Sequence, residues 1–506
     1  MTAFMPQLTE ARQTVDGSCG LWPRPGFTLR PDFHQHHAVK GQAFAFFDRS
    51  PGAWTMGKNV QSTAPALVLG AVFLVYFNAF SGVFQYDDFN VIVDNERVHG
   101  LVAWLGDLGG IRPLLKLSYA LNWMSGPGPW GFHLVNVAIH GANGLLAFLL
   151  LKRFAQDDAD ADLMALAAAL IFVLHPAQTE AVTYICGRST SLMTLFYLAS
   201  LVTYIQAREQ GLRAWNLLSV LFFLLACLTK ETALTLPVAL LLWERTARPS
   251  KGLAGVIPAL RATSTHWILF GILCLGLALH PYQQALLAAS FSTRSVPMNL
   301  LNQVQAQGYL LRTWCWPAHL NIDPFLPQVT RLTWSIAGMA ALLMGLLGMG
   351  LLALRWRPWL GFGLLWCFLH LIPTNSFIPR FDLVNERQLY LPSLGLAFVL
   401  VYAARAGFRR FSANQKLVTS CFLLLMVALG IRTTLRNRDY QSEIALWRSS
   451  VKEAPKNPRA HNNLGYAYLL QGDKEQARKA FETALVLDPG YAKARANLDS
   501  LNSGFE

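Results

Sequence analysis

The chain has 506 residues, 53% of them hydrophobic and only 14% charged, with a formal net charge of +13. A soluble domain carries roughly a quarter charged residues, so a soluble globular protein is excluded and most of the chain is expected in a bilayer. In that setting a basic excess marks cytoplasmic loops, not a nucleic-acid partner. The seven cysteines (Cys19, Cys186, Cys227, Cys274, Cys315, Cys367 and Cys421) are scattered and form no CxxC pair, which argues against a disulfide framework or a zinc site.

Residues 1–60 are polar and rich in Pro and Gly, without an apolar core. They lack the short basic start and apolar stretch of a signal peptide. "HQHH" (His34 to His37) has no carboxylate or Cys pattern around it and reads as a solvated loop. A poorly ordered, dispensable tail is expected, and a start at Met56, just before the first membrane segment, is compatible with the sequence.

Apolar stretches then recur near 64–84, 131–153, 161–175, 189–207, 214–229, 232–245, 264–280, 333–354, 359–373, 387–405 and 416–432. With the N-terminus inside, the loops facing the cytoplasm carry Lys152 and Arg153, Arg208 and Arg213, Arg245 to Arg261, Arg355 and Arg357, and Arg405 to Lys416. All are basic, as the positive-inside rule requires. The pattern predicts an all-α polytopic membrane protein of about eleven spans over 61–432. It places 84–130 and 281–332 outside as long loops, with "LLRTWCWPAHLNIDPFLP" on or dipping into the membrane surface.

That external face collects the charges at the membrane edge: Asp87, Asp88, Arg112, Lys116, Glu180, Arg188, Lys230, Glu231, Arg380, Asp382, Glu386 and Arg387. Ionisable groups at this depth are costly and are usually functional or paired. Asp87 and Asp88 stand out because they are adjacent, follow Tyr86, and sit where lipid headgroups meet water. "RPLLKLSYALNW" (112–123) places Leu115, Tyr119 and Asn122 on one face, as in an interfacial amphipathic helix or a helix packed on the bundle. His133, Asn136, His140 and Asn143 recur every three or four residues and share a helix face, a pattern that most often joins helices.

After Arg432 the chain becomes charged and Ala-rich over 433–506. Pro455 recurs as Pro489, Ala460 as Ala494, Asn463 as Asn497 and Leu464 as Leu498, and Trp447 is answered by Phe481, a period of 34. "AHNNLGYAYLLQGDKEQARKAFETALVLDP" is a full tetratricopeptide repeat. Half repeats are expected on either side, over 441–455 and 491–501. One repeat makes a poor peptide groove, so a docking role is as reasonable as acceptor capture.

Six blocks in order resemble the transmembrane and tetratricopeptide-repeat O-mannosyltransferase family and its bacterial relatives. They are "YDD", "RPLLKLSYALNW", "GFHLVNVAIHGANGLL", "HPAQTEAVTYICGRS", "KETALTLP" and "NERQLYLPSLG". The resemblance runs from about residue 64 to the C-terminus. It implies a GT-C glycosyltransferase fold, a polyprenyl-phosphate-linked sugar as donor, and inverting transfer to a hydroxyl, such as protein Ser or Thr, on the periplasmic or lumenal face. A bacterial inner-membrane location is expected, with the active site and the C-terminal repeat on the periplasmic side.

Such a transfer needs a base for the acceptor proton and cations for the departing phosphate. By motif position the base is Asp88 or Asp87, which the sequence leaves open. Arg188, Lys230 and Arg387 are the phosphate candidates. His175, Glu180, Arg112, Lys116 and Glu386 fall to acceptor contacts or support. No cofactor is required, though Asp87 and Asp88 leave room for a divalent metal. Expected partners are the lipid-linked sugar, a protein acceptor docked by the repeat, and membrane lipids. Two competing readings are a lipid-sugar flippase or polymerase, and a noncatalytic scaffold presenting the repeat. Neither accounts for paired carboxylates in the first external loop followed by these blocks.

Overall fold

Each of the eleven apolar stretches contains a helix in the computed structural model, which describes residues 57–154, 160–248, 255–411 and 414–503. His34 to His37, Met56 and Lys251 lie outside the described residues, as does nearly all of the predicted tail. The described residues are helical or irregular, with no strand among them.

Among the described residues, five helices are long and apolar enough to cross a membrane: Ser62–Ser81, Pro129–Phe154, Ile185–Gln210, Trp334–Trp356 and Gln415–Asp439. Two bent pairs raise the number to seven, Ala161–Leu174 with Pro176–Val182 (55°) and Val256–Ala262 with Ser264–Leu279 (70°). Arg213–Thr229 and Pro358–Leu371 are apolar but shorter. At ~1.5 Å per residue they fall short of a ~30 Å hydrocarbon core. Leu236–Ala247 and Pro392–Phe411 occupy the two remaining predicted stretches.

Small residues bring the helices close. A Cβ on Gly144 would lie 2.6 Å from Val173 and 2.7 Å from Val68, and one on Gly395 would lie 2.5 Å from the Gly363 carbonyl oxygen. Small residues are the usual means of close helix approach in lipid, where no hydrophobic force draws helices together. The polar face of Pro129–Phe154 joins its neighbours. Asn136 Nδ2 donates to the Val182 carbonyl at 3.1 Å, His140 meets Tyr390 Oη at 2.7 Å, and Asn143 Nδ2 donates to the Ser191 carbonyl at 2.9 Å.

The stretch 281–332 departs from the expected long loop. It holds two helices, Pro281–Thr293 and Val296–Cys315. The second is embedded, with Asn299, Asn302, Ala306 and Leu310 fully buried. Its polar stripe hides it from a hydropathy reading. Asn299 Nδ2 donates to the Ser376 carbonyl and Asn302 Nδ2 to the Val329 carbonyl, so that stripe faces protein loops. "LLRTWCWP" therefore begins inside a helix and leaves it after Cys315. The helix Pro113–Ser125 buries Leu115, Tyr119 and Asn122 against protein, which is the packed alternative for that segment.

The repeat region forms Glu443–Glu453, Pro458–Leu470, Lys474–Leu487 and Ala492–Ser503. Ser442, Asn457 and Asp473 cap the first three of these through side-chain oxygens, satisfying N–H groups that a helix start leaves unpaired. Gly465 lets two helices touch, since a Cβ there would lie 2.7 Å from the Phe481 ring. Trp447, Ala460, Leu464 and Ala467 share one hydrophobic core with Ile92, Tyr119, Phe132, Tyr184 and Ile322. The repeat is therefore fused to the loops of the membrane region.

Candidate active site

Four irregular segments meet beneath the repeat. The first is "QYDD", just past the end of the first apolar helix. The second follows His175–Pro176, where the bent pair Ala161–Leu174 and Pro176–Val182 breaks. Proline cannot continue a regular helix and restricts the residue before it, so the chain turns and presents Glu180 and Tyr184. The third is the stretch around 321–323, and the fourth is the segment 380–387. Irregular backbone at membrane depth is tolerated where protein covers it or it lines a cavity.

The two aspartates have different surroundings. Asp88 is 1% exposed. Its Oδ2 accepts the Gln85 backbone N–H at 3.0 Å and its Oδ1 accepts the Cys186 N–H at 2.8 Å. Burial pushes its carboxyl up to about 7, with hydrogen bonds from Cys186 and Gln85 opposing. Asp87 instead lines a crevice with Tyr86, Glu180, Tyr184, Ile322, Asp323, Asp382, Arg387 and Arg459. The crevice holds about 20 Å³, space for a single water. Burial raises the Asp87 carboxyl, Arg387, the Tyr184 hydroxyl and Arg459 pull it down, and Asp382 raises it. Tyr86, at φ 52°, is held in the left-handed region immediately before Asp87. Strain of this kind in a non-glycine residue persists where surrounding contacts enforce it, often at functional sites.

Arg387 joins this crevice to a cluster of cations. Its backbone N–H donates to Glu180 Oε2 at 2.9 Å, and its Nη1 lies 3.5 Å from Glu180 Oε1. Lys230 donates to Thr190 Oγ1 at 2.7 Å. Burial, then Arg112 and Arg387, pushes its ammonium well below the usual lysine range. Arg112 makes a two-point contact with Glu231, Nε to Oε2 at 3.0 Å and Nη2 to Oε1 at 2.6 Å. Burial opposes the effect, but Arg112 holds Glu231 down to about 2. The two side chains are 33% and 41% exposed, so water screens the pair. Arg112 is itself strained, at φ 54°. Arg380 feels Arg387, Glu231, Asp382 and Arg112. Lys230, Arg112, Arg387 and Arg380 lie close enough to repel one another, and an anion entering among them would relieve that repulsion.

Several expected residues have other work. Arg188 is fully buried. Its Nε donates to Asn136 Oδ1 at 2.6 Å, its Nη1 to the Ser118 carbonyl at 3.1 Å, and its Nη2 to Asn122 Oδ1 at 2.8 Å and the Phe132 carbonyl at 3.0 Å. It also lies over the Tyr119 and Phe132 rings. Four of its five N–H donors are taken by protein groups, an arrangement suited to joining helices. His175 stacks on Trp314, its Nε2 meets the Trp314 carbonyl at 2.9 Å, and its Nδ1 accepts the Ala177 N–H at 3.2 Å. Both ring nitrogens are engaged in holding the broken helix. Lys116 pairs with Asp107.

Glu386 accepts the Asn321 N–H at 2.7 Å and the Tyr309 hydroxyl at 3.0 Å. Tyr309 and Asn321 in turn line a larger cavity of about 250 Å³ with Trp316, His319 and Glu453. Among the described residues, no three of His, Cys, Asp and Glu converge as metal ligands. Both oxygens of Asp88 face backbone N–H donors.

Sequence reasoning missed Tyr184, Asp323 and Arg459. Arg459 carries no local signal, since a basic residue in the first turn of a repeat helix normally faces water.

The family model of the tetratricopeptide repeat matches residues 458–491. Over most of its length the chain is similar to the protein O-mannosyl-transferase F38B6.6 of Caenorhabditis elegans, at 26% identity across 90% of this chain and 67% of that protein. It is similar to TMTC4 of Mus musculus at 27% identity, across 82% of this chain and 65% of that one, and to TMTC3 of Homo sapiens at 25%, across 87% and 53%. All three of these similar proteins are named protein O-mannosyl-transferases. The chain spans between about half and two thirds of the length of these relatives.

Proposed function

We propose that this protein is an integral-membrane glycosyltransferase that moves a sugar from a polyprenyl-phosphate-linked donor to a Ser or Thr hydroxyl of a protein, inverting the anomeric carbon. Its carrying observation is that Arg387 belongs both to the crevice of Asp87 and to the cation cluster of Arg112, Lys230 and Arg380. A base and an anion site then stand side by side, as transfer from a phosphate requires. Asp87 accepts the proton of the incoming hydroxyl, whose oxygen forms the new bond to the anomeric carbon. The bond from that carbon to the phosphate oxygen breaks on the opposite face. Lys230, Arg387 and the Arg112–Glu231 pair neutralise the phosphate as it departs. Burial raises the Asp87 carboxyl above the ordinary aspartate value, which makes it a stronger proton acceptor. Asp88 holds the turn that aims Asp87.

The names of its relatives favour mannose and a protein acceptor. The charge pattern favours an orientation with the crevice and repeat on the periplasmic or lumenal side. The test is transfer of labelled mannose from polyprenyl-phosphate-mannose to envelope proteins by the full-length chain in lipid. Label appearing on Ser or Thr is expected. No label on protein with that donor, or with other polyprenyl-phosphate sugars, overturns the reading.

A further inference from the structure

Arg459 stands in the first turn of Pro458–Leu470 and reaches out of the repeat. Its Nε donates to Asp323 Oδ2 at 2.8 Å, its Nη2 bonds Asp323 Oδ1, and its Nη1 donates to Asp382 Oδ1 at 2.8 Å. The Asp323 side is rigid. That carboxylate is 5% exposed, and the cap residue Asn457 donates to its Oδ2 at 2.9 Å and to its carbonyl at 3.1 Å. The Asp382 side is open, with that carboxylate 42% exposed. Arg459, Asp323 and Asp382 all line the crevice of Asp87. Further ties fix the repeat there. The Trp447 ring meets Tyr86 edge-on at 5.1 Å, and Ser450 Oγ donates to Asn321 Oδ1 at 2.6 Å.

We propose that Arg459 is a positioning residue for the transfer, so that the repeat completes the reaction crevice and is not only an acceptor-capturing module. The inference rests on the glycosyltransferase reading above. Asp87 faces Arg387, Arg459, Asp382, Asp323, Glu180, Asp88, Tyr184 and the neighbouring Tyr86. From the repeat, Arg459 supplies the cation in this set. It holds two carboxylates that would otherwise stand unopposed beside Asp87. Without Arg459, Asp87 sits among like charges and takes up a proton more readily. Without Asp382, a repelling charge disappears and Arg459 acts on Asp87 less opposed. Both changes break the same ion pair, yet their effects on Asp87 have opposite sign. A clamp with only a mechanical role would weaken in the same way on losing either partner.

The experiment uses the full chain in lipid. In the pH profile of transfer, Arg459→Gln moves the acidic limb to higher pH and Asp382→Asn moves it to lower pH. Arg459→Lys, which keeps the charge, leaves the limb near that of the parent and covers the case in which Arg459→Gln fails to fold. Shifts of the same sign in the Gln and Asn variants, or no shift in either, overturn the proposal. So does an Arg459→Lys profile displaced as far as that of the Gln variant. A second arm needs no transfer. The thiol introduced by Asp87→Cys is alkylated with a small haloacetamide across a pH series and followed by peptide mass spectrometry. Adding Arg459→Gln moves thiolate formation to higher pH, and adding Asp382→Asn moves it to lower pH. Opposite shifts of the thiol, together with a parent chain that transfers nothing, sink the glycosyltransferase reading and keep the electrostatic coupling. Superimposable thiol profiles sink the coupling whatever the transfer assay gives.

Discussion

The Oδ1 oxygen of Asp88 lies 2.8 Å from the backbone nitrogen of Cys186, joining the first loop to the segment after the broken helix. Its Oδ2 receives the Gln85 N–H. The second aspartate of the pair is thus occupied as a structural acceptor, and the first is the one that faces the crevice. The two should separate on mutation. Asp88→Asn turns one acceptor into a donor facing an N–H, and an unpaired buried group costs ~1–3 kcal/mol. Its melting temperature should fall. Asp87→Asn should melt like the parent and lose transfer by ~100- to 10,000-fold, the usual range for a general base. Thermal melting and turnover measured on both variants decide the assignment. A stable, inactive Asp88→Asn beside an active Asp87→Asn would exchange their roles.

Arg188 should behave as part of the scaffold. Arg188→Ala leaves the Asn136 and Asn122 side-chain oxygens and the Ser118 and Phe132 carbonyls without their partner. At ~1–3 kcal/mol for each buried unpaired group, the sum rivals the whole stability of a typical domain. The expected outcome is loss of monodisperse protein on detergent extraction. A well-folded variant deficient only in donor binding would return Arg188 to the phosphate site.

What the sequence disclosed follows from which signals are local. Hydropathy located eleven helices because each apolar run is contiguous. Val296–Cys315 escaped because its buried Asn299 and Asn302 look like solvent-facing residues until the loops that accept their hydrogen bonds are known. The period of 34 located the repeat because it is a one-dimensional pattern. Motif order gathered Asp87, Glu180, Lys230 and Arg387 on one face. It could not separate Asp87 from Asp88, because the difference lies in the Cys186 N–H, 98 positions away. Arg459 was invisible for the same reason, since its partners Asp323 and Asp382 are 136 and 77 positions distant.

Lys230 should prove dispensable for folding and important for donor binding. Its ammonium bonds Thr190 and is repelled by Arg112, Arg387 and Arg380, which outweigh the attraction of Glu231. Lys230→Met keeps the aliphatic stem and removes the repulsion, so the melting temperature should hold or rise. Loss of a charge-assisted contact of ~1.5–3 kcal/mol weakens the donor by roughly ten- to a hundredfold. Binding of a polyprenyl-phosphate analogue, measured beside the melt, is the check. A variant that melts early and binds normally would assign Lys230 to the scaffold.

Glu386 offers a stability change with pH. Burial pushes its carboxyl up to about 8, with Arg436 opposing, from an ordinary value of 4.5. A carboxyl raised by folding binds its proton more tightly in the folded state, so its contribution is complete below the unfolded value. That contribution is lost as pH rises towards the folded value. Gln in this place stays neutral at every pH and keeps an oxygen to accept the Asn321 N–H and the Tyr309 hydroxyl. Glu386→Gln should therefore melt close to the parent near pH 5. Its advantage over the parent should then grow steadily towards about pH 8. The measurement is a paired melt of the two proteins across that range in one detergent. A parent that gains stability relative to the Gln variant as pH rises would mean that Glu386 is ionised in the folded protein and paired with Arg436.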